Sequence, residues 1–191
     1  MQKLFRPLNM LFVIVTALMA ISCQKGDDNS YNFPLQISLV NPGFETQLTG
    51  WTVETAYTGR YGFSSDTGAR RTGNYGLNFY ASQPGHFTGA LQETPWNGKI
   101  YQTVTGLKDG TYTFKAYADV VGTGMYLWAS GGPQIPDEKV VIKSAITELN
   151  TLEFTVKGGT AKIGFICINA GGNPAVLAPY FHADDIELWT K

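Results

Sequence analysis

The stretch GTYTFKAYADVV, residues 110–121, decides the fold class. In an extended chain successive side chains point to opposite sides. Tyr112, Phe114, Ala116, Ala118 and Val120 then share one face, and Thr113, Lys115, Tyr117 and Asp119 share the other. One apolar face and one polar face at period two is the pattern of a strand lying between a core and water.

The same alternation recurs on both sides of this stretch, in KIYQTVTG, GMYLWAS, EKVVIKSAIT, NTLEFTVK, TAKIGFICIN and FHADDIELW. Between these runs stand LKDG, GGPQIPDE, KGGT and GGNPAVLAP, whose Gly and Pro residues break regular structure. Helical periodicity is nearly absent. Many short strands at this spacing predict an all-β fold, a β-sandwich of two antiparallel sheets. No internal repeat is visible, which argues against a propeller.

The N-terminus carries a different signal. Lys3 and Arg6 precede the uncharged run MLFVIVTALMAIS, Met10 to Ser22, and then Cys23. A short basic segment followed by an apolar run of this length reads as a secretory signal peptide rather than a membrane span. AISC resembles the lipobox at which lipoprotein signal peptidase cuts before a cysteine that receives diacylglycerol, although Ala20 stands where Leu is usual. Behind it, Lys25, Asp27 and Asp28 resemble the lysine-plus-acid signal that exports lipoproteins of some Gram-negative bacteria to the cell surface. The expected organisation is a signal peptide at 1–22, a lipidated tether at 23–34 and a β-sandwich domain at 35–191. The implied location is the outer membrane, with the domain facing outward and held through lipid on Cys23. An ordinary signal peptide with an incidental cysteine, followed by a polar tether, is the alternative.

Acylation of Cys23 would leave Cys167 without a partner for a disulfide within the chain. Cys167 alternates with Ile163 and Phe165, so it reads as a small buried hydrophobe. The formal charge is −1 and charged residues make up only 15% of the chain. That balance excludes a nucleic-acid surface and an acidic disordered tail.

Four segments together resemble a known family: NPGFETQLTGW at 41–51, TGNYGLNF at 72–79, IYQTVTGLKDGTYTFKAYA at 100–118 and FHADDIEL at 181–188. In this order they are similar to the signature segments of carbohydrate-binding modules with the galactose-binding-domain-like jelly-roll fold. The resemblance implies non-catalytic binding of an oligo- or polysaccharide. It also implies a structural calcium held by Glu45, by carbonyls of the Thr72–Tyr75 turn, and by Asp184 or Asp185. The residues support such a convergence independently, because the terminal strands of a sandwich lie close together and three gathered carboxylates need a cation or an arginine. Calcium accepts carboxylate and carbonyl oxygens in flexible geometry. If Ile186 and Leu188 face the core, unbroken alternation turns Asp184 and His182 inward and Asp185 outward. The alternative to calcium is that Asp184 accepts backbone N–H groups or pairs with Arg70 or Arg71.

A sugar site needs aromatic platforms with polar groups beside them. With Leu127 in the core, Tyr126 and Trp128 would look outward, and Tyr117 would do so on the preceding strand together with Lys115 and Asp119. Gln102 would join them to form a shallow groove. The alternative is that these aromatics are ordinary strand residues pairing across a sheet. Trp51 and Trp189 read as packing residues, and Trp96 as either a ligand-facing ring or a lid. The case for catalysis is thin. The chain has two histidines, no GxSxG elbow and no zinc-type His/Cys cluster. A lyase trio of His86, Tyr101 and Arg70, or a hydrolase, stands behind the binding reading, as does an adhesive module whose exposed aromatics meet another protein.

Overall fold

A computed structural model describes residues 33–55, 60–80, 96–143, 148–171 and 180–191. The expected signal peptide, Cys23, His86 and nearly all of the tether lie outside these residues, and Trp96 is described only in its backbone. Every regular element among the described residues is a strand. The strands are β1 (Gln36–Ile37), β2 (Thr52–Thr55), β3 (Arg60–Ser64), β4 (Gly76–Tyr80), β5 (Trp96–Thr105), β6 (Gly110–Val121), β7 (Thr123–Ser130), β8 (Glu138–Val141), β9 (Leu149–Val156), β10 (Thr160–Gly171) and β11 (Tyr180–Thr190).

They form two antiparallel sheets. A six-stranded sheet runs β3-β4-β11-β6-β9 with β1 also on β11, and a five-stranded sheet runs β2-β5-β10-β7-β8. The predicted two-sheet sandwich is the observed one. Phe114 and Phe181 of the six-stranded sheet pack on Phe165 of the five-stranded sheet, with ring centroids 6.3 and 5.0 Å apart, and all three rings are fully buried. Cys167 lies on the same inner face as Phe165 and is 1% exposed, as its alternation predicts.

The run that decides the fold behaves as its alternation predicts. Tyr112, Phe114, Ala116 and Ala118 are buried, while Thr113, Lys115, Tyr117 and Asp119 are half-buried on the outside. The connection after this run separates the two strands that the groove reading places side by side. β6 and β7 are joined by Gly122 alone, at φ 109°, a left-handed conformation that glycine adopts at no steric cost. The chain crosses there from one sheet to the other, so β6 and β7 are not neighbours. The expected strand EKVVIKSAIT also ends earlier, at Val141. Ile142 turns into the core and donates its N–H to the Met125 carbonyl.

The last strand carries the second departure. Phe181 and Ala183 face the core, and so do Ile186 and Leu188, which have the opposite parity. A bulge lies between Asp184 and Glu187 in the pairing with β6, and Asp185 takes φ 46°. One extra residue in the strand switches which side chains face inward. His182 is therefore on the outer face, not the inner face that unbroken alternation assigns it.

Candidate functional site

The bulge explains where the carboxylates of the opening and closing segments go. β4 pairs with β11 at residues 180–183 and β1 pairs with it at 188 and 189, on the same edge. The interval between them is left without a strand partner, and two loops fill it. Pro42 accepts the N–H of Ile186, and the turn from Arg70 to Tyr75 supplies donors to the carboxylates. Phe44, two residues on from Pro42, anchors its loop in the core against Trp51, with ring centroids 4.8 Å apart.

Asp184 is fully buried. Its Oδ2 accepts the N–H groups of Arg71 and Thr72 at 2.7 and 3.0 Å, and its Oδ1 accepts that of Asp185 at 2.8 Å. Asp185 meets Arg71 Nη1 at 3.1 Å and the Thr72 hydroxyl at 2.6 Å. Glu45 accepts the N–H groups of Asn74 and Tyr75 at 2.9 and 3.1 Å. Burial pushes the Asp184 carboxyl above its usual value against the pull of these N–H donors, and the N–H groups of Asn74 and Tyr75 hold Glu45 below its own. The turn is closely fitted, since a Cβ at Gly73 would lie 2.0 Å from Glu45 Oε1.

The three residues thus come to one turn, but they receive hydrogens from it. A calcium ion needs lone pairs facing it. Here both lone pairs of Asp184 Oδ2 are taken by N–H groups, a guanidinium stands at Asp185, and the Gly73 carbonyl accepts from Arg70. Among the described residues no group of three or more His, Cys, Asp or Glu is placed to hold a metal. This donor set does not fit calcium. Asp184 instead accepts backbone N–H groups, and the arginine pairs with Asp185 rather than with Asp184.

The predicted groove is divided by the crossing at Gly122. Lys115, Tyr117 and Asp119 lie on the outer face of the six-stranded sheet, and Tyr126 and Trp128 on that of the five-stranded sheet. Gln102 belongs to neither face. It alternates with Thr103 on the same side as Ile100 and Val104, is 4% exposed, and bonds the Val40 backbone through both ends of its amide at 2.9 and 2.7 Å. On the six-stranded sheet the polar residues are engaged with one another. The Arg71 guanidinium lies 3.5 Å from the Tyr117 ring centre, Lys115 lies over Trp189, and Asp119 Oδ1 is 3.0 Å from His182 Nδ1.

Two clefts lie on the outer face of the five-stranded sheet. A cleft of about 800 Å³ is floored by Lys99, Trp128, Ser130 and Lys162, and walled by the loops around Gly132–Asp137 and Lys157–Thr160. A smaller cleft of about 430 Å³ lies between Glu54, Asn97 and Ile168, and Lys99 borders both. Registers place Gly164 of β10 between Tyr101 of β5 and Trp128 of β7. With no side chain between them, the two rings meet edge to face, 6.0 Å apart. Trp128 points outward as predicted yet is only 3% exposed, covered by Tyr101 and by Lys99, and its indole N–H donates to Asp137 at 2.9 Å. It is a packed residue flooring the cleft, not an open platform. Tyr126, half-buried, has Lys139 over its ring. Sequence reasoning misses Lys99 and Lys162 and gives Tyr101 a different role, although their alternation with Ile100 and Ile163 carries the signal.

No family model matches the chain, and no curated protein matches it. Solved structures do. TmCBM61, determined in complex with β-1,4-galactotriose, is 20% identical, with 80% of this chain and 97% of that one covered at a TM-score of 0.56. A family 16 carbohydrate-binding module is 14% identical, with coverage of 78% and 97% at a TM-score of 0.52. The enzymatically active domain of bacteriophage CBA120 tailspike protein 4 is 12% identical at a TM-score of 0.56, but only 21% of that chain is covered. At these identities the likeness concerns architecture: the chain has a two-sheet β-sandwich fold similar to that of carbohydrate-binding modules.

Proposed function

We propose that this chain binds carbohydrate without cleaving it, in the cleft on the outer face of the five-stranded sheet. The observation that carries the reading is that cleft itself: two concavities meeting at Lys99, floored by aromatic and polar side chains, on a fold shared with carbohydrate-binding modules. Its volume is in the range of small-ligand sites. Binding would be reversible capture, in which several weak contacts to one glycan add up.

A catalytic reading finds less support. The two carboxylates that line the larger cleft are committed, Asp137 to the Trp128 indole and Asp109 to the Gly158 N–H. Of the lyase trio, Arg70 donates to Ser65 and Gly73 in the turn by β4, whereas Tyr101 donates to Glu54 on the five-stranded sheet. Those two residues serve different parts of the molecule.

The test is a glycan array followed by affinity electrophoresis in polysaccharide gels. Wild type should be retained by at least one glycan. Ser130→Trp, which fills the cleft from a half-buried outward position, should abolish retention with its melting temperature kept. A protein retained by no carbohydrate would contradict the proposal and favour an adhesive module. We propose also that the domain is tethered to the outer membrane by lipid on Cys23. Cys23→Ala should then move the protein from the membrane fraction to the soluble one, and a mature N-terminus without acyl chains would refute the anchor.

A further inference from the structure

Lys99 and Lys162 of the larger cleft, and Lys139 beyond it on β8, lie against the outward rings of the five-stranded sheet, where a neutral sugar would have to stack. Lys99 Nζ lies 4.8 Å from the Trp128 ring centre, Lys162 Nζ 4.6 Å from that of Tyr101, and Lys139 Nζ 5.4 Å from that of Tyr126. An ammonium at such distances is attracted to the ring face. Among the described residues, each of these outward aromatic rings of the five-stranded sheet therefore carries a cation on its face. A neutral pyranose needs those faces bare.

The cations are also without carboxylate partners. The ion pairs of lysine and arginine among the described residues are elsewhere, at Arg71–Asp185, Lys143–Glu148 and Lys191–Glu153. The acids that share the face with the lysines are turned to neutral donors instead: Glu54 accepts the Tyr101 hydroxyl at 2.5 Å, Asp137 the Trp128 indole and Asp109 the Gly158 N–H. Lys157 adds a further cation at the rim of the larger cleft. The face thus offers ammonium groups without carboxylate partners over rings whose own surfaces are taken, Lys162 donating only to the neutral Tyr101 hydroxyl at 3.5 Å.

Resting on the reading of this cleft as a glycan site, we propose that its ligand is an anionic glycan, a chain bearing uronate carboxylates or sulfate esters. The anionic groups would meet Lys99 and Lys162 across the floor, forming charge-assisted hydrogen bonds that are stronger than those to neutral hydroxyls. Specificity would then come from charge spacing along the chain rather than from ring stacking.

The experiment is titration calorimetry of the whole domain with four probes: tetragalacturonate, a chondroitin sulfate tetrasaccharide, the neutral β-1,4-galactotetraose, and an oligothymidylate of equal charge. One or both anionic sugars should bind, the two arms separating carboxylate from sulfate recognition. Their affinity should fall about tenfold between roughly 0.05 and 0.5 M salt, because exposed charges are screened over that range. The Lys99→Gln/Lys162→Gln double variant should lose about tenfold or more, the scale of one or two charge-assisted contacts, with the domain still folded by its far-ultraviolet circular dichroism. Binding of the neutral tetraose with equal or higher affinity, insensitive to salt, would overturn the inference and leave carbohydrate binding standing. Equal binding of the oligothymidylate would overturn it by showing a surface that accepts any polyanion. Failure of every sugar, here and on the array, would overturn both.

Discussion

Replacing Trp128 by alanine separates a packed floor from an exposed platform. The side chain is 3% exposed, rests over Gly164 against Tyr101, lies under Lys99 and bonds Asp137. Trp→Ala at a buried site costs about 3–5 kcal/mol. The low end applies, about 3 kcal/mol, because the vacated space opens into the neighbouring cleft and refills with water, so no closed cavity is left. Asp137 is exposed and regains a water partner, so the lost hydrogen bond adds only about 1 kcal/mol or less. For a domain of this size the total of about 3–4 kcal/mol corresponds to a fall in Tm of roughly 6–16 °C. Urea denaturation of wild type, Trp128→Ala and Trp128→Phe checks it, and the Phe variant, which keeps a ring over Gly164, should lose about 1 kcal/mol. A Trp128→Ala protein within about 1 kcal/mol of wild type would refute the packing argument, since that is the range of surface substitutions.

Three other outcomes are expected. Chelator should leave the melting curve of the calcium-free-prepared protein unchanged while Asp184→Ala lowers it, because N–H groups orphaned in a buried turn are costly; a chelator-dependent fall in Tm would show that the turn rearranges around a metal. Glu45 has its pKa held below the ordinary value, so its contribution is fully present above the unfolded value and is lost as pH falls through the folded one. Glu45→Gln should therefore flatten the loss of Tm on acidification below about pH 4.3, and a variant with the wild-type acid slope would count against the assignment. Cys167 is 1% exposed and burial raises its thiol pKa well above the usual value, so a thiol reagent should label it only at the rate of unfolding; rapid labelling of native protein would contradict its place in the core.

How far the sequence carries depends on what kind of constraint each residue obeys. The faces of β6, and of β10 as far as Cys167 where its register shifts, are legible because alternation is set by backbone geometry and a core tolerates only one parity. The convergence of Glu45 with Asp184 and Asp185 is legible too, since the terminal strands pair, here through Gln36 and Trp189. Two single-residue events are not. The bulge at Asp184 and Asp185 reverses parity within one strand and moves His182 outside, and nothing in ADDIE marks it apart from the polar pair itself. The crossing at Gly122 sends β6 and β7 to different sheets, although their succession in the sequence places them side by side in the groove reading. That one residue separates Tyr117 from Trp128 by the thickness of the sandwich. The amide of Gln102 shows a third limit: a polar residue on a strand reads as reaching a ligand, and here it faces inward and serves the Val40 backbone instead.

Glycan held on the outer face of the five-stranded sheet would change the surroundings of the side chains there and not those of the opposite sheet. The most direct measurement uses the indole N–H signals of the chain's four tryptophans, which include Trp128 in the cleft and Trp189 on the opposite sheet. Nitrogen-15 spectra recorded during titration with a glycan retained on the array should shift the Trp128 indole and the amides of Lys99, Ser130 and Lys162 together, along one binding curve, and leave the Trp189 indole in place. Shifts concentrated at Trp189, Lys115 and Tyr117, with Trp128 unmoved, would contradict the account and place the site on the six-stranded sheet.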